Sequence, residues 1–172
     1  MDFSFKMYLS KTINVAASIA IMIVVCQGVA QAQRADFSGA WKLNRQKTNF
    51  GQLSEISVPV QFSIDQKSDS ISIDRVTKNG QDELHSYSEK LPLNGNTIEV
   101  MTNLYTKKIT SIHLLADSQL TEVAQYVDYS DNVRYNGTEM WVLSNDGKVL
   151  TITRDDKANG LSYMRKMVYD RQ

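Results

Sequence analysis

The alternation of apolar and polar residues from Asp36 onward constrains the fold more than any other feature. Between Val58 and Ile64 every second residue is apolar, and the same rhythm recurs around Ile71, Ile98 and Leu150. A period of two is typical of β-strands that bury one face. No window sustains the i, i+3, i+4, i+7 spacing of an amphipathic helix over three turns. The pattern therefore predicts an all-β domain.

Short turn signals separate the alternating segments about once every dozen residues. Asn-Gly and Asp-Gly pairs tolerate positive φ, which tight hairpin turns require. Consecutive strands joined by hairpins form an antiparallel meander. The signals are Lys78-Asn79-Gly80, Asn94-Gly95-Asn96, Ala116-Asp117-Ser118, Asn136-Gly137, Asn145-Asp146-Gly147-Lys148 and Asn159-Gly160.

Ten strands are predicted, with a longer connection over 44–57. A meander of about 8–10 strands with one apolar face can close into an up-and-down barrel, which removes its exposed edges. A two-sheet sandwich remains the alternative, because alternation alone does not separate the two. The predicted strands are 37–43, 58–65, 70–76, 82–90, 97–102, 107–115, 119–128, 137–144, 148–154 and 161–169.

The first 32 residues have the three zones of a secretory signal peptide. Lys6 and Lys11 supply positive charge, an apolar run extends over 13–25, and small residues stand in Ala30-Gln31-Ala32. The run is shorter than the about 20 apolar residues of a membrane-spanning helix. We expect cleavage after residue 32, a barrel domain over 33–172, and export to the periplasm or the medium. An uncleaved N-terminal anchor is the alternative.

Cys26 is the only cysteine and offers a different N-terminal processing. It follows an apolar run, as a lipid-modified cysteine does, but bulky residues rather than small ones precede it. Lipid anchoring through Cys26 is therefore the minority alternative. Cleavage after residue 32 leaves a cysteine-free domain that is stabilised by packing without disulfides.

The charge of the predicted domain excludes one broad class of partner. Without residues 1–32 the chain carries 17 basic and 18 acidic residues, interleaved along its length. No basic surplus is present to attract nucleic acid. We expect no nucleic-acid partner, no stable membrane span after processing, and a monomer.

The predicted first strand reads DFSGAWKLN over 36–44. Its Gly-x-Trp pattern, Gly39 and Trp41, resembles the signature of the lipocalin (calycin) superfamily. The late segment WVLSNDGKVLTI over 141–152 resembles a hairpin of lipocalin-like secreted bacterial domains. The resemblance implies an up-and-down barrel whose base is closed by Trp41, with an arginine from a late strand packed over the ring. We assign that arginine to Arg165, with Arg154 and Arg171 as the other candidates.

No catalytic or metal-binding pattern stands out in the sequence. There is no Gly-x-Ser-x-Gly elbow, and the two histidines, His85 and His113, lack metal-ligand spacing. The acidic segment 128–132 and the pair Asp155-Asp156 are interpreted as solvated turns. We therefore predict a protein that is not an enzyme, with no cofactor and no metal site.

A barrel without catalytic groups can bind a small molecule in its interior. We predict that the ligand is hydrophobic or amphipathic. The alternative is an envelope-associated interaction or structural protein with a filled barrel, and a group of Tyr126, Tyr129 and Tyr135 could then form a binding patch. The candidate lining residues are Phe62, Tyr87, Ile98, Ile112, Leu114, Tyr126, Leu143 and Tyr163.

Overall fold

The computed structural model describes residues 35–52, 58–103, 106–115 and 118–172. All of its strands belong to one compact unit, residues 34–172. The predicted signal peptide, residues 1–32, and Cys26 lie outside the described residues. The strands are β1 (Gly39–Leu43), β2 (Pro59–Gln66), β3 (Ser70–Lys78), β4 (Leu84–Pro92), β5 (Ile98–Asn103), β6 (Thr106–Leu114), β7 (Gln119–Val127), β8 (Val133–Leu143), β9 (Val149–Ala158) and β10 (Leu161–Arg171).

The ten strands form one antiparallel sheet in the order β4-β3-β2-β1-β10-β9-β8-β7-β6-β5. Pairing of β1 with β10 rolls the meander into a nearly closed barrel, with Trp41 directly opposite Arg171. The predicted all-β, up-and-down, lipocalin-like barrel is confirmed. The sandwich alternative is wrong, because a single sheet contains every described strand.

An apolar core fills the base of the barrel, the end at which the β2–β3 and β8–β9 hairpins lie. Trp41 is fully buried, and its indole Nε1 donates a hydrogen bond to the carbonyl of Phe37 at 2.9 Å. Phe62 packs against Tyr169 with ring centroids 4.8 Å apart. These side chains stand at every second position of their strands, so the alternation in the sequence builds this core.

The turn predicted at Asn136-Gly137 is wrong, since both residues lie within β8. The chain reverses instead over 128–132, where Asp131 has a φ of 58°. Gly137 is buried inside the barrel, and a Cβ there would lie 2.9 Å from Asp156 Oδ1 and 3.3 Å from Arg154 Nη2. A glycine occupies this position because neighbouring side chains take the space, not because the backbone turns.

The turn predicted at Asp155-Asp156 is also wrong. Strand β9 continues through both residues to Ala158, and Asp156 is buried. Its neighbour Asp155 faces the outer side of the barrel, where it is half-buried. The prediction failed because a charged residue was taken to mark the end of a strand, whereas the strand carries Asp156 into the interior.

Candidate functional site

Charged side chains occupy the middle and far part of the barrel interior, beyond the apolar base. The period-two alternation places them there: β3 continues from Ile71 and Ile73 to Arg75, and β7 continues from Leu120 to Glu122. All of them are at most 8% exposed. We call this group the interior ionic network; its members are Arg75, Glu89, Lys108, Glu122, Glu139, Arg154, Asp156 and Arg165.

Arg75 is the centre of the inner half of the network. Its Nε lies 2.6 Å from Glu89 Oε1, its Nη2 lies 2.7 Å from Glu122 Oε2, and its Nη1 lies 3.4 Å from Glu139 Oε2. Lys108 adds a second cation, with Nζ 2.7 Å from Glu89 Oε2 and in direct contact with Glu122. Two cations thus hold three carboxylates in a dry environment, where charge-assisted hydrogen bonds are strong.

Arg154, Asp156 and Arg165 form the outer half, nearer the far end of the barrel. Arg154 contacts Glu139 Oε1 through Nη1 and Asp156 Oδ1 through Nε, both at 2.8 Å. Arg165 Nη2 lies 2.5 Å from Asp156 Oδ2. Arg154 and Arg165 stand directly opposite each other on β9 and β10. Asp156 between them offsets a repulsion that two like charges at this position would otherwise cause.

Aromatic rings frame the network on two sides. Trp141 Nε1 donates to Glu139 Oε2 at 2.9 Å, and the guanidinium of Arg75 lies 5.4 Å from the Trp141 ring centroid. Toward the far end, Tyr126 stacks on Tyr135 with centroids 4.3 Å apart. Arg154 lies 5.3 Å from the Tyr126 centroid on the interior side. The rings exclude water while their faces accept the cations.

The three glutamates of the inner half differ in their pKa. Burial raises the pKa of Glu122 above its ordinary value, and Lys108 and Arg75 offset only part of that rise. Burial also opposes ionisation of Glu139, but Arg75 and Arg154 outweigh it and hold its pKa well below the ordinary range. For Glu89, Arg75 and Lys108 likewise outweigh burial and lower the pKa. Of these three glutamates, Glu122 is therefore the one that takes up a proton most readily.

These opposite pKa shifts predict how stability depends on pH. Glu89 and Glu139 stabilise the fold above their ordinary pKa of 4.5, and this contribution is lost as the pH falls toward their lowered folded values. Glu122 acts in the opposite sense, since its raised pKa favours the folded form as the pH falls. We expect the free energy of unfolding not to decline from about pH 7 to about pH 5 and to fall steeply below that.

Urea unfolding followed by tryptophan fluorescence at several pH values measures this profile. Glu139→Gln removes one of the carboxylates whose pKa is lowered. The free energy of unfolding should therefore fall less steeply with decreasing pH in this variant. Glu83→Gln is the matched control, because Glu83 is exposed in the β3–β4 turn. A decline of the same slope in Glu139→Gln and in the unmodified protein would contradict the assignment.

A small space remains inside the network. It is too narrow to hold a water molecule and is bordered by two acids, an arginine, an aromatic ring and the backbone of β8. Gly137 lies at its edge, where Asp156 and Arg154 come so close that a Cβ would press on both. The lining residues are Glu122, Ala124, Tyr126, Gly137, Glu139 and Arg154.

The structure divides the eight predicted lining residues between two environments. One group of five belongs to the apolar core of the base or packs against it: Phe62, Ile98, Ile112, Leu114 and Leu143. The three tyrosines face the ionic network. Tyr87 stands opposite Arg75, Tyr126 stands opposite Lys108, and Tyr163 stands opposite Asp156. Of the eight, Tyr126 alone lines the small space.

Sequence reasoning missed the network itself, because charged residues were assigned to the outer face. The missed signal is the continuation of the alternation past the last apolar residue of a strand. Two positions beyond Ile73 stands Arg75, and two beyond Ile152 stands Arg154. On β6, Thr110 stands two positions before Ile112 and also faces the interior. Its hydroxyl donates a hydrogen bond to Glu122 at 2.8 Å.

The base closure uses Arg171, and the assignment to Arg165 is corrected. The Arg171 guanidinium lies 4.4 Å from the Trp41 ring centroid and donates to the carbonyls of Ser38 and Gly147. Arg165 is six residues away, about 20 Å along a strand, and binds Asp156 instead. Gly39 permits the closure, because a Cβ there would lie 2.9 Å from Arg171 Nη1.

The predicted tyrosine patch is not one surface. Tyr126 and Tyr135 stack together beside the network, whereas Tyr129 is 60% exposed in the β7–β8 turn. Tyr129 borders a shallow surface concavity of about 410 Å³ with Thr106, Asp128, Ser130 and Arg134. Arg134 Nη2 lies 2.6 Å from Asp128 Oδ2 there, so the charges of this concavity are paired with each other.

Across the part of the chain that the structure describes, no three His, Cys, Asp or Glu side chains are arranged to hold a metal ion. The same ranges contain no helix long and apolar enough to cross a membrane.

Fold and interior together define the chain as a small lipocalin-like meander barrel with a plugged apolar base and an ionic interior. No protein family and no curated protein matches its sequence. Solved structures of the fluorescent protein UnaG are similar in fold. The wild type and a single-residue variant of it each have a TM-score of 0.48 at 17% identity, covering 79% of this chain and 97% and 96% of theirs.

Proposed function

We propose that the chain is an exported, non-catalytic barrel that binds one small amphipathic molecule in its interior. The observation that carries the proposal is the polar and aromatic lining around Glu122, Tyr126, Glu139 and Arg154, inside a barrel whose base is closed by Trp41. A closed base leaves the far end and the side wall as routes inward. Tyr87, Tyr135 and Tyr163, all half-buried, combine apolar ring area with polar hydroxyl groups toward that end.

The charge balance of the network indicates how a ligand would be held. Four basic and four acidic side chains are buried together, so the interior has no surplus charge for a strongly charged molecule. A polar group with both donors and acceptors can exchange hydrogen bonds with Glu139 and Arg154 at little cost. The apolar part of the molecule would then lie against the tyrosine rings, which favours an amphipathic ligand over a purely hydrophobic one.

The small size of the space favours a second candidate, the filled barrel that acts through its outer surface. Pockets for small ligands usually measure about 300–1,000 Å³, whereas this space is too narrow to hold even a water molecule. In the binding proposal, the described structure is therefore the closed form, and side chains must move to admit the ligand. In the second candidate function, the ionic network fills the barrel interior and stabilises the fold without binding a ligand.

Export of the domain rests on the signal pattern of residues 1–32. We propose cleavage after residue 32 and a location in the periplasm or the medium of a bacterial cell. N-terminal sequencing of the protein recovered from an exporting bacterial host tests it. A mature chain that begins at Cys26 and carries lipid would show that the protein is lipid-anchored. An intact N-terminus would indicate an uncleaved anchor.

Crowding the interior beside Gly137 should weaken ligand binding. Gly137→Ala adds a methyl group 2.9 Å from Asp156 Oδ1 and 3.3 Å from Arg154 Nη2, so the outer half of the network must shift into the space. We expect affinity for an amphipathic probe, anilinonaphthalene sulfonate, to fall on the order of tenfold. Quenching of tryptophan fluorescence on binding measures it, because Trp141 contacts the network.

Asn136→Ala is the matched control, since Asn136 precedes Gly137 on β8 and is exposed. Tyr163→Ala, which removes a half-buried ring facing the network, provides a second interior variant if Gly137→Ala does not fold. Native mass spectrometry of the unmodified protein from an exporting host should also show a bound small molecule. Bare protein in that spectrum, with equal probe binding by all variants, would favour the filled barrel.

A further inference from the structure

The barrel has one seam without a backbone ladder. The sheet order begins with β4 and ends with β5, and these two strands share no paired register among the described strands. Every other neighbouring pair has one, and β4 itself pairs with β3 along all of its length. At the base end an isolated bridge joins Asn94 to His113. We call the gap between β4 and β5 the seam.

Side chains of the ionic network connect the two sides of the seam. Glu89 extends inward from β4, and Lys108 extends inward from β6, the strand paired with β5. Lys108 Nζ lies 2.7 Å from Glu89 Oε2, and both side chains are at most 1% exposed. Arg75 on β3 and Glu122 on β7 form a second contact between the same two sides, at 2.7 Å.

Such a connection has two states because its strength depends on water. A backbone ladder is a row of bonds that break one after another, whereas a buried ion pair is strong only while it stays dry. Once water enters, the same pair contributes little, and each ion recovers its hydration. Opening of the seam would thus weaken the contact that holds it closed.

We propose that the barrel opens at the seam and that the Glu89–Lys108 ion pair is the latch that keeps it closed. Where the barrel binds a ligand, as proposed above, the seam gives that ligand a side entrance to the interior. The opening itself needs no ligand, so it can be tested on the protein alone.

Amide hydrogen exchange with mass spectrometry tests the latch. Lys108→Met keeps the length of the side chain and removes its charge. We expect the amides of β4 and β5 to exchange on the order of tenfold faster in this variant, through a local opening. The amides of β9 and β10, which lie opposite the seam in the sheet order, should exchange at the rate of the unmodified protein.

Lys107→Met is the matched control. Lys107 adjoins Lys108 on β6, but its Nζ pairs with Asp131 at 2.9 Å and Glu99 at 3.7 Å and does not contact β4. This variant should leave the exchange of β4 unchanged. A general loss of stability in Lys108→Met would accelerate amide exchange equally in all strands, and that result would overturn the proposal.

Glu89→Gln serves as the second variant, since it preserves shape while removing the other charge of the latch. If neither variant folds, amide exchange of the unmodified protein at low denaturant concentrations tests the latch instead. Seam amides that exchange by a denaturant-independent local opening support the latch, and seam amides that exchange only with global unfolding refute it. No ligand enters these measurements, so absence of ligand binding would refute the proposed function and leave the latch standing.

Discussion

Replacing Arg75 by methionine is expected to lower the free energy of unfolding by about 3–5 kcal/mol, because it leaves three buried carboxylates with too little positive charge. Arg75 contacts Glu89, Glu122 and Glu139, and it is 1% exposed. Burial opposes its ionisation, yet Glu139 and Glu89 raise its pKa well above the ordinary value. The guanidinium is therefore charged throughout the accessible pH range.

Urea unfolding monitored by circular dichroism measures the loss. Lys78→Met is the matched control on the same strand, because Lys78 forms only a surface ion pair with Asp82 at 3.0 Å. That change should cost less than about 1 kcal/mol. Equal losses for the two variants would show that the network does not stabilise the fold through Arg75.

A double variant separates the charge of Arg75 from its volume. Adding Glu122→Gln to Arg75→Met removes one of the carboxylates that lost its partner. Part of the lost free energy of unfolding should therefore be recovered. We expect a coupling free energy on the order of 1 kcal/mol or more. Arg75→Lys, which keeps the charge but not the planar fork, should retain more stability than Arg75→Met. Additive losses would contradict an electrostatic role.

Truncating Trp41 to alanine is expected to have an effect of similar size, about 3–5 kcal/mol. The indole is fully buried at the base, its Nε1 donates to the Phe37 carbonyl, and Arg171 covers its outer face. The loss would combine an unfilled cavity with an unpaired carbonyl and an uncovered guanidinium. Thermal and urea unfolding both report it.

Two variants test the source of that effect. Met140→Ala on the outer face of β8, where Met140 is 45% exposed, should change stability by less than about 0.5 kcal/mol. Arg171→Ala removes the covering cation but leaves the core filled, so its loss should be much smaller than that of Trp41→Ala. If Arg171→Ala were the more damaging change, the closure would depend on the arginine and not on the indole.

The strand rhythm of the sequence was sufficient to predict the barrel, because alternation is a local property of each strand. Ile71 and Ile73 or Leu150 and Ile152 have the same pattern in the chain and in the fold. The two turns placed wrongly, at Gly137 and at Asp156, have a common cause. Both residues are inside the barrel because of partners on other strands: Gly137 on β8 faces Arg154 and Asp156 of β9, and Asp156 pairs with Arg165 of β10.

The candidate site could not be predicted in the same way. Arg75, Glu89 and Lys108 are separated in sequence and have no shared motif, and each by itself is an ordinary surface residue type. Burial becomes favourable only when all partners meet, since an unpaired buried charge costs several kcal/mol. Which partners meet depends on the register of seven strands, and this is a tertiary property.

Gly39 and Trp41 illustrate the division between the two levels. The sequence alone determined an antiparallel meander with Trp41 in its first strand, because alternation, turn residues and the Gly-x-Trp pattern are all local. The tertiary structure decided that Arg171, and not Arg165, covers the ring, because the pairing of β1 with β10 sets which arginine lies opposite. It also decided that the interior is ionic, because closure of the sheet brings charges from seven strands within hydrogen-bonding distance.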